Sequence, residues 1–280
     1  MAYDQSIGFT NTGLPDIIEL KNISMSYDGG KSFIIKDTSF LVEDIPNKGQ
    51  FVVILGLSGC GKSTLLRFMC GLQKPTTGEV LIRGKLRDES SRIGMVFQQY
   101  SSFPWLSVLD NVSLGLKYKG KSKNEQYEKA MEMIKLVGLE GQEKKYAKYP
   151  TLSGGQLQRV AIARSLVADP EILLMDEPFC SLDVNTRLQM QTLLCDIWTK
   201  LQSTIIFVTH DLPEAVYLAD DIYIMRACPG KIVEKVHVDL PLERNNDTKR
   251  TQRFLDIVNN VENKMITIQH FLDNEKTQKQ

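Results

Sequence analysis

Three stretches of this chain carry residue types and spacings that could do phosphate chemistry. The first is Gly56-Leu57-Ser58-Gly59-Cys60-Gly61-Lys62-Ser63, which reads G-x-x-x-x-G-K-S, the spacing of a loop that cradles phosphates. Its glycines let the backbone bend around an anion where a Cβ would collide, and the amides of the loop and of the helix behind it point at that anion. Lys62 is expected to reach the β- and γ-phosphates as a point charge, and the Ser63 hydroxyl to ligate Mg²⁺. The second stretch is Ile172-Leu173-Leu174-Met175-Asp176-Glu177, an apolar run ending in two acids. A carboxylate at such a tip, Asp176, can hold Mg²⁺ directly or through water, and Glu177 is placed to polarise a water in line with the γ-phosphate. The third is Leu152-Ser153-Gly154-Gly155-Gln156, a serine and two glycines ahead of a helical run. It reads as a helix N-terminus that admits an anion or as an ordinary N-cap by Ser153, and the two are compatible. The bland alternatives are a chance glycine-rich turn and a strand whose end happens to be acidic. The length and context of the first motif argue against the former, and its presence upstream argues against the latter.

The elements that must position these residues are legible in the surrounding pattern. Phe51-Val52-Val53-Ile54-Leu55 is a continuous apolar, β-branched run, as expected of a strand buried on both faces. Thr64-Leu65-Leu66-Arg67-Phe68-Met69 continues the loop into a helix. Upstream, Asp28-Gly29-Gly30-Lys31 separates two strand-like runs and predicts a hairpin. Tyr127, Met131 and Ile134, with Ala130 and Val137, recur at helical spacing and predict a core-facing helical stripe. Downstream, apolar strands alternate with helices (172–175, 184–201, 203–208, 213–218, 222–225), which predicts an α/β fold with a mainly parallel sheet. Phe254, Ile257, Val258, Val261, Met265 and Ile268 predict an amphipathic helix near the end.

Composition bounds what such a domain can do. The 280 residues are 42% hydrophobic and 24% charged, and Lys+Arg and Asp+Glu both number 34. A neutral chain makes nucleic acid a poor default partner, since proteins that neutralise phosphate backbones are usually basic. Five cysteines, an odd number without a C-x-x-C pair, and three scattered histidines suggest free thiols and neither a disulfide framework nor a zinc cluster. Cys60, inside the loop, is the expected reactive thiol, and the other four are expected to be packed. The N-terminal residues lack the pattern of a signal peptide, and no apolar run is long enough to span a bilayer. Any membrane role is then expected to run through a partner, from the cytosolic side.

Taken together and in this order, the loop, Leu-Ser-Gly-Gly-Gln and the apolar-Asp-Glu strand resemble the ATP-binding cassette family. The resemblance spans roughly residues 17–236. It implies ATP and Mg²⁺ as ligands, and a P-loop NTPase core with an N-terminal antiparallel β region and an inserted helical subdomain. Nucleotide contacts would run from Gly56, Leu57, Ser58, Gly59, Cys60, Gly61, Lys62 and Ser63 to Thr64. It further implies that Tyr27 stacks on adenine, that Gln98 after Met95-Val96-Phe97 touches Mg²⁺ and senses the γ-phosphate, and that His210 contacts the γ-phosphate. Asp183 in Ser181-Leu182-Asp183 would face a partner cassette, and Ser153, Gly154, Gly155 and Gln156 would close on ATP held by that partner. For Tyr27 and His210 the plain alternative is a structural side chain at a strand end.

A finer resemblance, to importers of nitrate, taurine and aliphatic sulfonates, rests on Phe103-Pro104-Trp105-Leu106-Ser107-Val108-Leu109-Asp110-Asn111-Val112 and on Pro229-Gly230-Lys231-Ile232-Val233 before Asp239-Leu240-Pro241. Cys228 departs from that pattern, and a packed indole in a turn is the plain alternative for Trp105. The expected organisation is an arm (1–16), a cassette (17–236, helical subdomain about 99–165) and a C-terminal extension (237–280). The expected function is the ATP-hydrolysing subunit of an importer for a small anion, peripheral on the cytoplasmic face of the membrane. Its partners would be a second cassette (an identical copy or a close paralogue), an integral membrane permease and, through the permease, a solute-binding protein. A soluble cassette ATPase uncoupled from transport and a separate cassette of an exporter are the alternatives.

Overall fold

The structure, a computed structural model, describes residues 13–277 apart from Ser90, Tyr100 and the side chains beyond Phe271. The expected arm lies outside the described residues up to residue 12, and the expected extension does so for its last three. The chain forms two compact units, one of residues 13–91 and 207–277 and one of Arg92–Ile206.

The first unit opens with β1 (Ile18–Met25) and β2 (Ile35–Val42), the predicted antiparallel hairpin, with Ile18 opposite Val42 and Leu20 opposite Phe40. Its connection is held by Asp28, whose carboxylate accepts from Ser26 Oγ (2.8 Å), Ser32 N (2.9 Å) and Ser32 Oγ (2.5 Å). β3 (Phe51–Gly56) follows, buried at every residue, and runs through the loop into α1 (Lys62–Cys70). β4 (Thr77–Ile82) then pairs with the free side of β1, and the two-residue β5 (Lys85–Leu86) pairs with β4, which completes an antiparallel sheet.

The second unit contains β6 (Ile93–Val96), α2 (Val108–Tyr118), α3 (Lys123–Leu136), α4 (Gly154–Leu166), β7 (Ile172–Asp176) and α5 (Val184–Leu201). β6 and β7 pair in parallel, Ile93 with Ile172 through Val96 with Met175. The three middle helices pack on one another through Val108, Val112 and Leu116, Ala130, Ile134 and Val137, and Leu157, Val160 and Ala161, all buried. The expected stripe holds from Ala130 onward, whereas Tyr127 at its start is exposed.

β8 (Thr204–Thr209), wholly buried, carries the chain back into the first unit. There α6 (Leu212–Leu218), β9 (Asp221–Arg226) and β10 (Lys231–His237) follow. β9 lies parallel to β3, from Val52 opposite Asp221 to Gly56 opposite Met225, and antiparallel to β10. The other edge of β3 takes the end of β8, where the Phe51 and Phe207 rings meet at a tilt with centroids 6.0 Å apart. A single turn (Thr248–Arg250) leads into α7 (Gln252–Thr277), which buries Phe254, Ile257 and Val261 as its periodicity predicts. Arg244 fastens this C-terminal part to the phosphate-loop strand. Its guanidinium donates to the carbonyls of Tyr217 (2.9 Å) and Pro241 (3.0 Å) and pairs with Asp220 (3.6 Å), whose other oxygen accepts from Phe51 N at 3.1 Å. An ion pair between Lys264 and Glu234 ties α7 to β10.

Candidate active site

In the first unit, the run from β3 to α1 has the strand, loop and helix that the motif requires. Lys62 is buried, and its Nζ donates to the carbonyls of Gly56 (2.9 Å) and Leu57 (3.1 Å), so the ammonium is drawn across its own loop. α2 to α6 each carry a serine or aspartate whose side chain caps the helix, whereas α1 has Gly61 at that position, no side-chain cap and no acid in its first turn. A helix start with no side-chain cap and no acid in its own first turn, next to a lysine, is a donor set that phosphate oxygens fit. The glycines serve a different purpose from the one their sequence suggests. A Cβ on Gly56 would lie 2.5 Å from the Met225 carbonyl, and one on Gly61 2.8 Å from Ile35, so both allow the loop to sit close against protein behind it. Gly59 has open space around it and is required for its φ of +78°. Cys60 corrects an expectation. It is 1% exposed, packed under the loop, while Cys228 is the exposed thiol.

Tyr27 also belongs to this unit. It is 63% exposed, and its hydroxyl accepts from Gln73 Nε2 at 2.8 Å. It stands on the connection that Asp28 organises. The Ser32 hydroxyl, the Ser32 amide and the Ser26 hydroxyl together hold the Asp28 carboxyl down at about 2. His210 is exposed at the end of β8. Its neighbours are fixed by a local network in which the Thr209 hydroxyl donates to buried Glu214 (2.6 Å), Asp211 N donates to Thr209 Oγ1 (3.0 Å) and Glu214 N donates to Asp211 Oδ1 (2.9 Å). Backbone and side chain around the histidine are thereby anchored on α6.

In the second unit, Asp176 is buried at the tip of β7, and Glu177 after it is half-buried with a φ of +42°, a left-handed conformation that is costly for a residue with a side chain. Cys180 is drawn into the same loop, since its amide donates to the Glu177 carbonyl (3.3 Å) and its sulfur accepts from Gln98 Nε2 (3.3 Å). That bond leaves the Gln98 amide oxygen, the atom a hard cation takes, uncommitted to the thiol. Ser153 is the N-cap of α4 in a reciprocal capping box with Gln156: Ser153 Oγ accepts from Gln156 N (3.3 Å), and Gln156 Oε1 accepts from Ser153 N (2.9 Å). Asp183 caps α5 in the same way by accepting from Thr186 N (3.1 Å), and hydrogen bonding by Thr186 depresses its carboxyl pKa. A Cβ on Gly155 would lie 2.5 Å from Thr186 Cγ2, so the starts of α4 and α5 are in contact.

Two positioning residues escaped the sequence reading. Asn111 is wholly buried, and its amide donates to the carbonyls of Phe103 (3.0 Å), Leu106 (3.2 Å) and Ser107 (2.9 Å) while its oxygen accepts from Phe103 N (2.8 Å). Arg164 of α4 holds the same segment from the other side, donating to Ser101 O at 2.6 Å and lying over the Phe103 ring at 5.4 Å. The segment so clamped carries Trp105 outward. Its indole is 67% exposed, although the ring touches Phe103 at 5.3 Å, so the packed-indole alternative fails. The available signal was an asparagine at a position flanked by Val108 and Val112 on the buried face of a helix.

Among the described residues no helix is long and apolar enough to cross a membrane, and no cluster of three or more His, Cys, Asp or Glu could hold a metal by itself. Residues 43–180 match the ABC transporter family. An uncharacterized ABC transporter ATP-binding protein of Methanocaldococcus jannaschii is 51% identical over 71% of this chain and 74% of its own length. A nitrate import ATP-binding protein of Synechocystis is 40% identical over 84% and 88%. An aliphatic sulfonates import ATP-binding protein of Bacillus cereus is 42% identical over 82% and 92%. Among solved structures, a bacterial ABC transporter cassette determined as a dimer superposes with a TM-score of 0.67 at 34% identity, covering 80% of this chain and all of that one.

Proposed function

The chain belongs to the ABC transporter family, in which it is an ATP-binding, ATP-hydrolysing subunit, and from that premise we propose that it powers import of a small anion such as nitrate, a sulfonate or taurine. The observation that supports the finer reading is the reach of the likeness. Identity of 40–42% to nitrate and sulfonate import subunits runs over more than four-fifths of the chain, well past the segment 43–180 common to the family. The chain would work at the cytoplasmic face of the membrane as one of a pair of cassettes bound to a permease, with a solute-binding protein delivering to that permease. The outward indole of Trp105 offers such a permease an aromatic anchor of the sort that dominates interface energetics.

The roles follow from residue chemistry. The loop amides from Gly56 to Thr64 and the Lys62 ammonium bind the phosphates, and Tyr27 offers its exposed ring to the adenine. The Lys62 ammonium has three N–H donors, so it can reach phosphate oxygens while the loop carbonyls hold it in place. Ser63, Gln98 and Asp176 present hydroxyl, amide and carboxylate oxygens, ligands suited to Mg²⁺, which when bound neutralises charge building on the phosphates. Glu177 accepts a proton from the attacking water, and His210 donates to the γ-phosphate. Ser153 to Gln156 supply a capped helix start to the nucleotide of the partner cassette, with Asp183 beside them at the contact between the two. Deleting the gene and supplying nitrate or taurine as sole nitrogen source, or an alkanesulfonate as sole sulfur source, tests the import reading. Loss of labelled uptake of one of these, restored by the wild-type gene and not by Glu177→Gln, supports it. Unchanged uptake of all three overturns it.

A further inference from the structure

Tyr27 differs in one respect from the other exposed tyrosines among the described residues. Of Tyr27, Tyr118, Tyr127, Tyr146 and Tyr149, it is the one whose hydroxyl is hydrogen-bonded, accepting from Gln73 Nε2 at 2.8 Å. Its ring takes part in no ring pair or cation–π contact among the described residues. An exposed side chain ordinarily samples several rotamers, and fixing one costs that freedom. A hydrogen bond to a phenol oxygen lies near the plane of the ring. Such a bond fixes the tip of the side chain and leaves the ring faces to other partners. Gln73 is itself held. It is half-buried in the connection from α1 to β4, its backbone amide donates to the Arg67 carbonyl of α1 (3.2 Å), and its Nε2 also reaches Met25 Sδ (3.8 Å). Further along the same connection, Thr76 N donates to the Ser24 carbonyl (2.9 Å) and Thr76 Oγ1 accepts from Ser26 N (3.0 Å). The connection is thus fastened at one end to the helix behind the phosphate loop and at the other to the strand end that leads to Tyr27.

We propose that Gln73 is a positioning residue for the nucleotide base: by holding the phenol oxygen it keeps the Tyr27 ring set for stacking before ATP arrives. This role rests on the reading of Tyr27 as the platform for adenine. A ring that is already held gives up less freedom when the base lies on it, so more of the stacking contact appears as affinity. The phosphates meet the loop amides and the Lys62 ammonium, to which Gln73 is not bonded. The contribution of Gln73 must therefore vanish for a triphosphate that has no base. It must also run through the Tyr27 hydroxyl, so a phenylalanine that keeps the stacking ring and lacks only that oxygen should share the defect of a Gln73 variant. The same strap carries the base platform on the helix whose start receives the phosphates, which fixes the spacing between the two ends of one nucleotide.

The probes are MgATP and magnesium tripolyphosphate, titrated by calorimetry into the full chain. Gln73→Leu and Tyr27→Phe should each raise the Kd for ATP about three- to tenfold, the span of one net hydrogen bond, and leave that for tripolyphosphate within about twofold. The double variant should bind ATP no more weakly than either single one, because both remove the same bond. In protein carrying ring-¹³C tyrosine, the Tyr27 signal, identified by its loss in Tyr27→Phe, should shift with ATP and not with tripolyphosphate. In nucleotide-free Gln73→Leu the same signal should leave its wild-type position, as expected of a ring released to average over rotamers. Wild-type ATP affinity in Gln73→Leu, equal losses for ATP and tripolyphosphate, or losses that multiply in the double variant would each overturn the role of Gln73. Tyr27→Ala separates this role from the stacking it serves. If that variant binds ATP as tightly as wild type, adenine does not rest on Tyr27 and both readings fall. If it is weakened while Gln73→Leu is not, the platform stands and Gln73 has no part in it.

Discussion

Gly155 and Thr186 meet with no room for one more carbon: a Cβ on the glycine would lie 2.5 Å from the threonine methyl. Gly155→Ala should therefore separate the starts of α4 and α5 and lower stability by about 1–3 kcal/mol, the usual cost of overpacking. It should also depress ATPase activity, because Ser153 and Asp183 stand on those two helix starts. Thr186→Ser removes the methyl and keeps the hydroxyl. The double variant should recover activity and be at least as stable as wild type, since alanine favours a helix over glycine by up to about 1 kcal/mol. Thermal unfolding and phosphate release of the four proteins check this, and a double variant no better than Gly155→Ala would show that the contact is not the cause.

Glu177 combines a catalytic assignment with a left-handed backbone. Glu177→Gln should bind ATP normally and lose about 10²–10⁴-fold in turnover, the span attributed to a general base. Glu177→Gly should be equally inactive but no less stable than Glu177→Gln, because glycine adopts φ of +42° without strain. Equilibrium nucleotide binding, single-turnover kinetics and melting curves separate the two effects. Turnover within threefold of wild type in Glu177→Gln would remove the residue from the chemistry.

The thiols give a topographic test. A maleimide should label exposed Cys228 first, half-buried Cys70 and Cys180 more slowly, and buried Cys60 and Cys195 only on unfolding. Burial also raises the Cys70 pKa, which lowers its thiolate fraction further. Cys228→Ser should remove the fast phase seen by mass spectrometry, and MgATP should not protect it. Fast labelling at Cys60 would contradict the packing of the loop.

The Asp28 carboxyl sits at about 2 in the folded protein against an ordinary 3.8. A depressed carboxylate contributes stability that is complete above the ordinary value and fades as pH falls through the folded one. The difference in melting temperature between wild type and Asp28→Asn should thus be constant above pH 4 and shrink between 3.8 and about 2. At neutral pH the variant should raise the KM for ATP with kcat unchanged, the pattern of weakened substrate binding, since Tyr27 stands on the connection Asp28 holds. A gap that widens on acidification would reverse the assignment.

The legible parts of this fold are those set by local rules. The phosphate loop announces itself because one short motif needs strand, turn and helix together, and α7 does so because Phe254, Ile257 and Val261 repeat at 3.6 residues. The capping box of Ser153 and Gln156 was readable as S-x-x-Q, a purely local exchange of hydrogen bonds. What depended on distant segments was not readable. Cys60 is buried because the loop lies close over β9, and Trp105 is exposed because Asn111 and Arg164 hold its segment in one shape. Neither fact has a signature in neighbouring residues. The glycines illustrate the difference within one motif, for their places were evident while the neighbours that require Gly56 and Gly61, Met225 and Ile35, lie far away in the chain.

The pairing of β3 with β9 also has a consequence in time. Phe51 and Asp220, bonded in the finished sheet, are separated by 169 residues. A ribosome adding about 5–20 residues per second leaves the phosphate-loop strand waiting roughly 8–34 seconds for that neighbour, and nearly as long for β8. Throughout that interval Phe51-Val52-Val53-Ile54-Leu55 is an uncharged, β-prone edge on a nascent chain, the kind of segment that recruits chaperones or seeds aggregates. Sheltering of this strand during synthesis is thus a demand on folding in the cell that the stability of the completed molecule does not reflect.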